Sequence, residues 1–169
     1  KGDGPAALNL LRPLARRFPV IADYVAFWTA QALVLDKDHA AAVQAVEPVF
    51  RHQPESPLTG RAALLAAASL VESDNPRGAL TMLARVPEDR LPQPASLAVL
   101  ARAREAVGDP VAAAMSWQSI YFAYPMSSEA KDAGAALSRL ESSLGPAYPR
   151  PCPVPASTAP TSSFAPAAS

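Results

Sequence analysis

An all-α fold of paired helices is predicted for this chain by three observations. Half of its 169 residues are apolar but only 7% are aromatic, because alanine, the strongest helix former, carries much of the apolar share. Asp3, Asp38, Asp74 and Asp109 recur at separations of 35, 36 and 35 residues. Proline follows three of them within two positions, at Pro5, Pro76 and Pro110. Aspartate at a helix N-cap accepts hydrogen bonds from otherwise unpaired backbone N–H groups, and proline suits the first helical turn because it has no N–H to leave unpaired. Self-similarity at this period marks a repeat architecture.

The elements follow in order from these signals. A first helix at about 5–18 begins behind Asp3 and Pro5 and is ended by Pro19, and a second is expected at 20–36. Asp38 opens a third at 39–53, which Pro54 ends. The fourth, 57–72, holds the longest apolar run, Ala62 to Val71, between Arg61 and Glu72. The fifth runs 76–86 behind Asp74 and is cut short by Pro87, so that "VPEDRLPQP" makes a longer irregular connection to the sixth, 94–107. Gly108 closes the sixth in a left-handed conformation and Asp109-Pro110 starts the seventh, 110–124, so Gly-Asp-Pro is a turn and not a ligand loop. An eighth helix occupies 127–144. From Gly145 the chain becomes rich in proline, alanine and serine without acidic residues, a composition that cannot bury enough apolar surface to fold. Residues 1–144 are therefore expected to form the helical domain and 145–169 a disordered or polyproline-like tail, mobile unless a groove captures it.

A second set of positions keeps the same beat. Four residues after each aspartate stand Ala7, Ala42, Gly78 and Ala113, and four further on Leu11, Val46, Met82 and Trp117. Eight beyond those lie Pro19, Pro54 and Pro125, with Arg90 in the third unit. A small residue lets paired helices approach, a large one fills the gap between them, and proline ends the second helix. Over about residues 2–144 this pattern resembles the tetratricopeptide repeat. The resemblance implies a right-handed α-solenoid of about eight helices, starting on the second helix of one repeat, with three full repeats and a final solitary helix.

By the same analogy, the first helix of each repeat lines a concave groove that takes a protein or peptide. That groove presents Tyr24, Phe27, Gln31 and Val34, then Ala63, Ala67 and Leu70, then Arg102, Glu105 and Lys131. Tyr24, Phe27 and Gln31 would anchor the partner, with Arg102, Glu105 and Lys131 orienting it. The groove lacks the Lys/Asn set that family members use to clamp a carboxylate tail. The aromatic residues Trp117, Tyr121 and Tyr124 share a helical face, and their expected role is packing against neighbouring helices.

The chain carries little sign of chemistry. Its formal net charge is zero, so no electrostatic footprint for nucleic acid or an anionic membrane is expected. Cys152 is the only cysteine, His39 and His52 read as solvent-side residues, and no metal-ligand spacing occurs. The apolar runs fall short of the roughly 20 residues needed for membrane insertion. No cofactor, metal or catalytic residue is expected within these residues. The start at Lys1, without a signal peptide, suggests a fragment or a processed chain.

A second resemblance concerns context. "WQSIYFAYPMSSEA" (117–130), with "RRFPVIADYVAFW" (16–28) and "FRHQPESPLTGRA" (50–62), is similar to repeats in bacterial envelope proteins. These include the non-catalytic helical superstructure of soluble lytic transglycosylases and outer-membrane assembly lipoproteins. It implies a periplasmic or envelope setting, possible peptidoglycan association, and an alternative role as the arm of a transglycosylase whose catalytic domain lies elsewhere. Glu141-Ser142 is similar to the Glu-Ser of that active site, but the downstream Gly-Leu-Met-Gln element is absent and Glu141 is expected to be a surface residue.

Overall fold

The computed structural model describes residues 4–150, and among them every regular element is helical and none is a strand. The helices are α1 (Gly4–Arg17), α2 (Ala22–Leu35), α3 (His39–Ala45), α4 (Glu47–Arg51), α5 (Thr59–Glu72), α6 (Pro76–Leu83), α7 (Ala95–Ala106), α8 (Pro110–Ala123) and α9 (Ser128–Leu144). Each packs chiefly on its neighbours in sequence: α1 on α2, α2 on α3 and α4, α5 on α6, α6 on α7, α7 on α8, and α8 on α9. Contacts of α3 with α5, and of α5 with α7, join successive pairs.

Three turns share one construction. After α2, Lys37 takes φ 62°; after α5, Asp74 takes φ 56°; after α7, Gly108 takes φ 84°. The N–H of the left-handed residue returns to the preceding helix, at Val34 O (3.0 Å), Val71 O (3.1 Å) and Glu105 O (3.0 Å). The next N–H reaches one residue further back, at Leu33 O (2.9 Å), Leu70 O (2.8 Å) and Arg104 O (2.9 Å). This is the Schellman closure, which satisfies carbonyls the helix end leaves open. The residue that completes it also caps the next helix. Asp38, Asn75 and Asp109 each accept through Oδ1 from the N–H three residues on, at Ala41, Gly78 and Ala112, all at 3.0 Å.

The register expected from the aspartates is thus corrected in one unit. Asn75, not Asp74, is the cap, because Asp74 occupies the left-handed position that Gly108 fills elsewhere. Counting four from the true caps gives Ala42, Ala79 and Ala113, all fully buried; counting eight gives Val46, Leu83 and Trp117, all buried. Gly78, the small residue read from Asp74, is only half-buried. Asp3 lies outside the described residues.

Proline explains the other boundary shifts. The helix expected at 39–53 breaks at Val46 between α3 and α4, since Pro48 has no N–H to return to Gln44. Pro19 opens a 3-10 turn, Pro19–Ile21, so α2 starts two residues later than expected. α6 stops at Leu83, after which Arg85 and Val86 make only three-residue hydrogen bonds, to Met82 O and Leu83 O. The connection that follows lies close against α5. A side chain at Gly60 would overlap the Arg90 carbonyl oxygen, and Arg90 Nη1 pairs with Glu55 Oε1 at 2.5 Å.

The core forms two clusters that meet at α7. The first joins Phe27, Val46, Val49, Leu58, Met82 and Leu83 to a lining of alanines, and takes Val99 and Ala103 from α7. The second gathers Trp117, Ile120 and Leu140 around Ala98 and Ala101 from the adjoining side of α7, with Ala113, Ala114, Ala133 and Ala136. Alanine at these contacts lets helix axes approach to the short end of the usual 8–10 Å range. The packed structure also extends past 144. Gly145–Ala147 forms a 3-10 turn, Tyr148 packs on the second cluster, and the Pro149 carbonyl accepts from Gln118 Nε2 at 2.6 Å. The tail expected from 145 is corrected to that extent; the remainder of that expectation, 151–169, lies outside the described residues.

Candidate functional site

Facing sides of α7 and α9 enclose a cleft of about 720 Å³. Its floor is small and apolar, from Ala98 and Ala106 on α7 and Ala135 and Ala136 on α9. Charged side chains stand along both walls: Arg102 and Glu105 from α7, Glu129, Asp132 and Arg139 from α9. Helical spacing puts them there, since 98, 102 and 105 on one helix, and 129, 132, 136 and 139 on the other, recur every three or four residues.

Glu105 is the fixed point of this cleft. Its Oε1 accepts from the Trp117 Nε1–H at 2.7 Å, and its Oε2 accepts from Arg139 Nη1 at 2.7 Å. The two bonds join α7 to α8 and to α9. The Glu105 side chain is largely buried and that of Arg139 mostly exposed. The hydrogen bond from Arg139 to Glu105, reinforced by their opposite charges, raises the guanidinium pKa further above its already high ordinary value. Trp117 thus combines two roles, its ring in the second core cluster and its N–H at the cleft. Arg102 is different: its Nε reaches only the Ala98 carbonyl, at 3.5 Å, and among the described residues no carboxylate is paired with it. A cleft with a small apolar floor, one immobilised carboxylate and one unpaired guanidinium can receive an extended chain.

Of the six groove residues expected from the sequence, the structure brings two together. Arg102 and Glu105 line the cleft; Lys131 is exposed on α9 but is not among the lining residues. Tyr24 and Gln31 lie on α2, which packs in the other core cluster. Phe27 is a correction. It is 2% exposed, its ring meets Trp28 edge-on at 5.7 Å, and the Arg61 guanidinium sits 5.0 Å above it. The physical reason is helical phase. α2 buries Asp23, Val25, Ala26, Phe27, Ala30 and Ala32 and leaves only a narrow strip, Tyr24 (44% exposed), Trp28 (49%) and Leu35, outward. Phe27, three residues on, is about 60° round the helix from Tyr24, towards the Asp23–Ala30 side, and that offset takes it into the core. The expected lining at Ala63 and Ala67 is corrected likewise, since both are fully buried in the core. Val34 and Leu70 are partly buried and pack against the first cluster.

Several features escaped the sequence reading. Arg139 and Asp132 carried no motif; only their phase relative to Ala136 could have placed them beside the cleft. A second cleft, of about 600 Å³, lies among α6, α7 and α8 where α6 ends early. There Arg104 Nη1 donates to Ser116 Oγ at 2.6 Å and to Ala112 O at 3.2 Å. Asp23 is 2% exposed and accepts at Oδ2 from Ser56 Oγ at 2.5 Å, while its Oδ1 is left unpaired. His52, expected to face solvent, is partly buried with Nε2 4.0 Å from that Oδ1. The three do not make a nucleophilic relay, because the Ser56 proton goes to Asp23 and not to His52. They hold the start of α2 to the loop before α5. Glu141 is exposed, as expected.

Among the described residues no helix is long and apolar enough to cross a membrane. In comparisons with known proteins, no family model, no curated protein and no solved structure matches this chain.

Proposed function

We propose that this chain is a binding scaffold, a right-handed α-solenoid of tetratricopeptide-like hairpins that holds an extended protein segment between α7 and α9. The repeated turn supports the solenoid reading: three left-handed residues, three side-chain caps and three buried alanines recur in one order. Neighbour-on-neighbour packing is what such arrays use. The observation that carries the function is the unpaired Arg102 guanidinium beside the fixed Glu105 in an alanine-floored cleft. A partner segment with small residues at its centre fits the floor. An acidic side chain at one end meets Arg102, and a basic one at the other meets Asp132 and Glu129. The envelope setting and any peptidoglycan association are proposed on the sequence resemblance alone.

Selection of peptides from a random display library against the full chain tests this reading. Selected peptides should combine an acidic and a basic residue around small residues. They should bind Arg102→Glu at least about tenfold more weakly, the loss of one favourable charge contact and its replacement by a repulsive one. Tyr24→Ala should bind them unchanged. Peptides that ignore Arg102→Glu, or a selection that enriches none, overturn the proposal.

A further inference from the structure

The α8/α9 hairpin carries a third, smaller cleft, of about 220 Å³. Gln118, Tyr121 and Phe122 of α8 and Gly134, Leu137 and Glu141 of α9 line it, and it shares no residue with the α7/α9 cleft. Tyr121 and Phe122 are large aromatics left 47% and 61% exposed, with their rings edge-to-face at 5.4 Å. Gly134 leaves room for the Tyr121 ring: a Cβ there would already touch it at 3.5 Å. Exposed aromatics of this size usually mark a surface that something covers.

The segment that covers it begins just after α9. After the 3-10 turn the chain turns back over this face, and Tyr148 itself lines the cleft. Tyr148 has φ −65° and ψ 126°, close to polyproline II geometry. The next carbonyl, at Pro149, receives the Gln118 amide at 2.6 Å. The sequence from there is Pro149-Arg150-Pro151-Cys152-Pro153-Val154-Pro155, proline at every second position. Such a chain has no N–H at the prolines and presents its carbonyls as free acceptors on a stiff helix of about 3.1 Å per residue. Recognition of this conformation elsewhere uses two devices, aromatic rings that take the proline rings and a side-chain donor to a backbone carbonyl. Both are present, in Tyr121 with Phe122 and in Gln118. Charge agrees as well: Arg150 is the one charged residue in 146–155, and Glu141 stands in the cleft wall.

We infer that the α8/α9 face is a docking site for polyproline II chains, and that its occupant is this chain's own alternating-proline segment from Pro149 to Pro155. The site is self-occupied, so proline-rich segments from other proteins bind it only by displacing the chain's own.

Fluorescence anisotropy with a labelled synthetic peptide of residues 146–156, titrated with the full chain, tests this. The intramolecular segment acts at a millimolar effective concentration, so the wild-type chain should bind the peptide weakly. The full chain carrying Tyr148→Ala, Pro149→Ala, Pro151→Ala and Pro153→Ala vacates the site and should bind at least tenfold more tightly. Adding Gln118→Leu and Phe122→Ser to that variant should abolish binding, while far-UV circular dichroism stays unchanged. A peptide with its alternating prolines replaced by alanine should not bind. Equal affinity for the wild-type and vacated chains overturns self-occupation. Binding that survives loss of Gln118 and Phe122, or that accepts the alanine peptide, overturns the site.

Discussion

Replacing Lys37 with glycine should stabilise this protein, and the equivalent change at Gly108 should do the reverse. Lys37, Asp74 and Gly108 hold the same place in three copies of one turn, with φ of 62°, 56° and 84°. For a residue with a Cβ the left-handed region costs roughly 1–2 kcal/mol. Glycine removes that strain but gives the unfolded chain more freedom to lose, about 0.4–1 kcal/mol. The balance for Lys37→Gly is a gain of about 0.5–1 kcal/mol, and Lys37 forms no ion pair among the described residues whose loss would confuse it. Aspartate tolerates this region better than lysine, so Asp74→Gly should fall between zero and about 0.5 kcal/mol. Gly108→Ala should lose about 0.5–1 kcal/mol by the same balance with its sign reversed. That loss is purely conformational, since a Cβ at Gly108 meets nothing within 4 Å. Urea unfolding followed by circular dichroism measures all three, read as midpoints at unchanged slope. Destabilisation by Lys37→Gly, or one common sign for all three, would refute the equivalence of the turns.

Asn75→Ala should cost about 1 kcal/mol through loss of the cap on Gly78 N, whereas Asn75→Asp should fall within a few tenths, both by urea midpoint. The hydrogen bond from Arg85 holds the Glu47 carboxyl below its ordinary value of 4.5, despite an opposing effect of burial. That ion pair therefore contributes fully above about pH 4.5 and its contribution is lost as pH falls through the lowered pKa of the folded state. Arg85→Met, which also removes the guanidinium 4.1 Å above Phe50, should flatten the fall in urea midpoint over that acidic range. Trp117→Phe should leave Glu105 Oε1 without its donor, costing about 1–2 kcal/mol beyond the void left by the smaller ring; with Arg139→Met in addition, a double-mutant cycle should show coupling. Gly60→Ala should destabilise by roughly 1–3 kcal/mol in thermal melts, because the neighbour it strikes is the Arg90 backbone carbonyl and has no rotamer to change.

What was legible in the sequence was local. Asp38 and Asp109 cap helices because an N-cap contact spans only three residues, and the buried Ala42, Val46, Ala113 and Trp117 follow at fixed helical steps. Asp74 misled for a local reason too: Asp and Asn are both good caps, and choosing Asn75 requires knowing which residue turns left-handed. The break at Pro48 was visible in principle, since a proline nine residues inside an expected helix deletes a hydrogen bond. The cleft was less legible. Arg102 and Glu105 were placed by analogy, but Arg139 joins them from 34 residues away and Phe27 departs from them by burial, outcomes set by how α9 and α2 roll against their neighbours. Hydrophobic spacing constrains that roll weakly when both faces carry apolar residues, as Phe27 and Trp28 do. A lone Gln118 likewise gave no hint of the carbonyl 31 residues later that it binds.

The alanine lining of the core makes the chain's response to mutation one-sided. In a core of leucines and phenylalanines, drift does harm mostly by subtraction, leaving voids that neighbours fail to fill. At Ala30, Ala42, Ala62, Ala66, Ala101, Ala113 and Ala133 there is one methyl group to remove, and every other replacement adds bulk where none is accommodated. Single-base changes at an alanine codon lead mostly to larger or polar side chains, so most such changes at these sites should destabilise the fold. Substitution is therefore best tolerated at exposed positions outside these helix contacts. Arg102, Tyr121 and Phe122 are exposed and lie outside those contacts, so replacements there leave the spacing between helices unchanged.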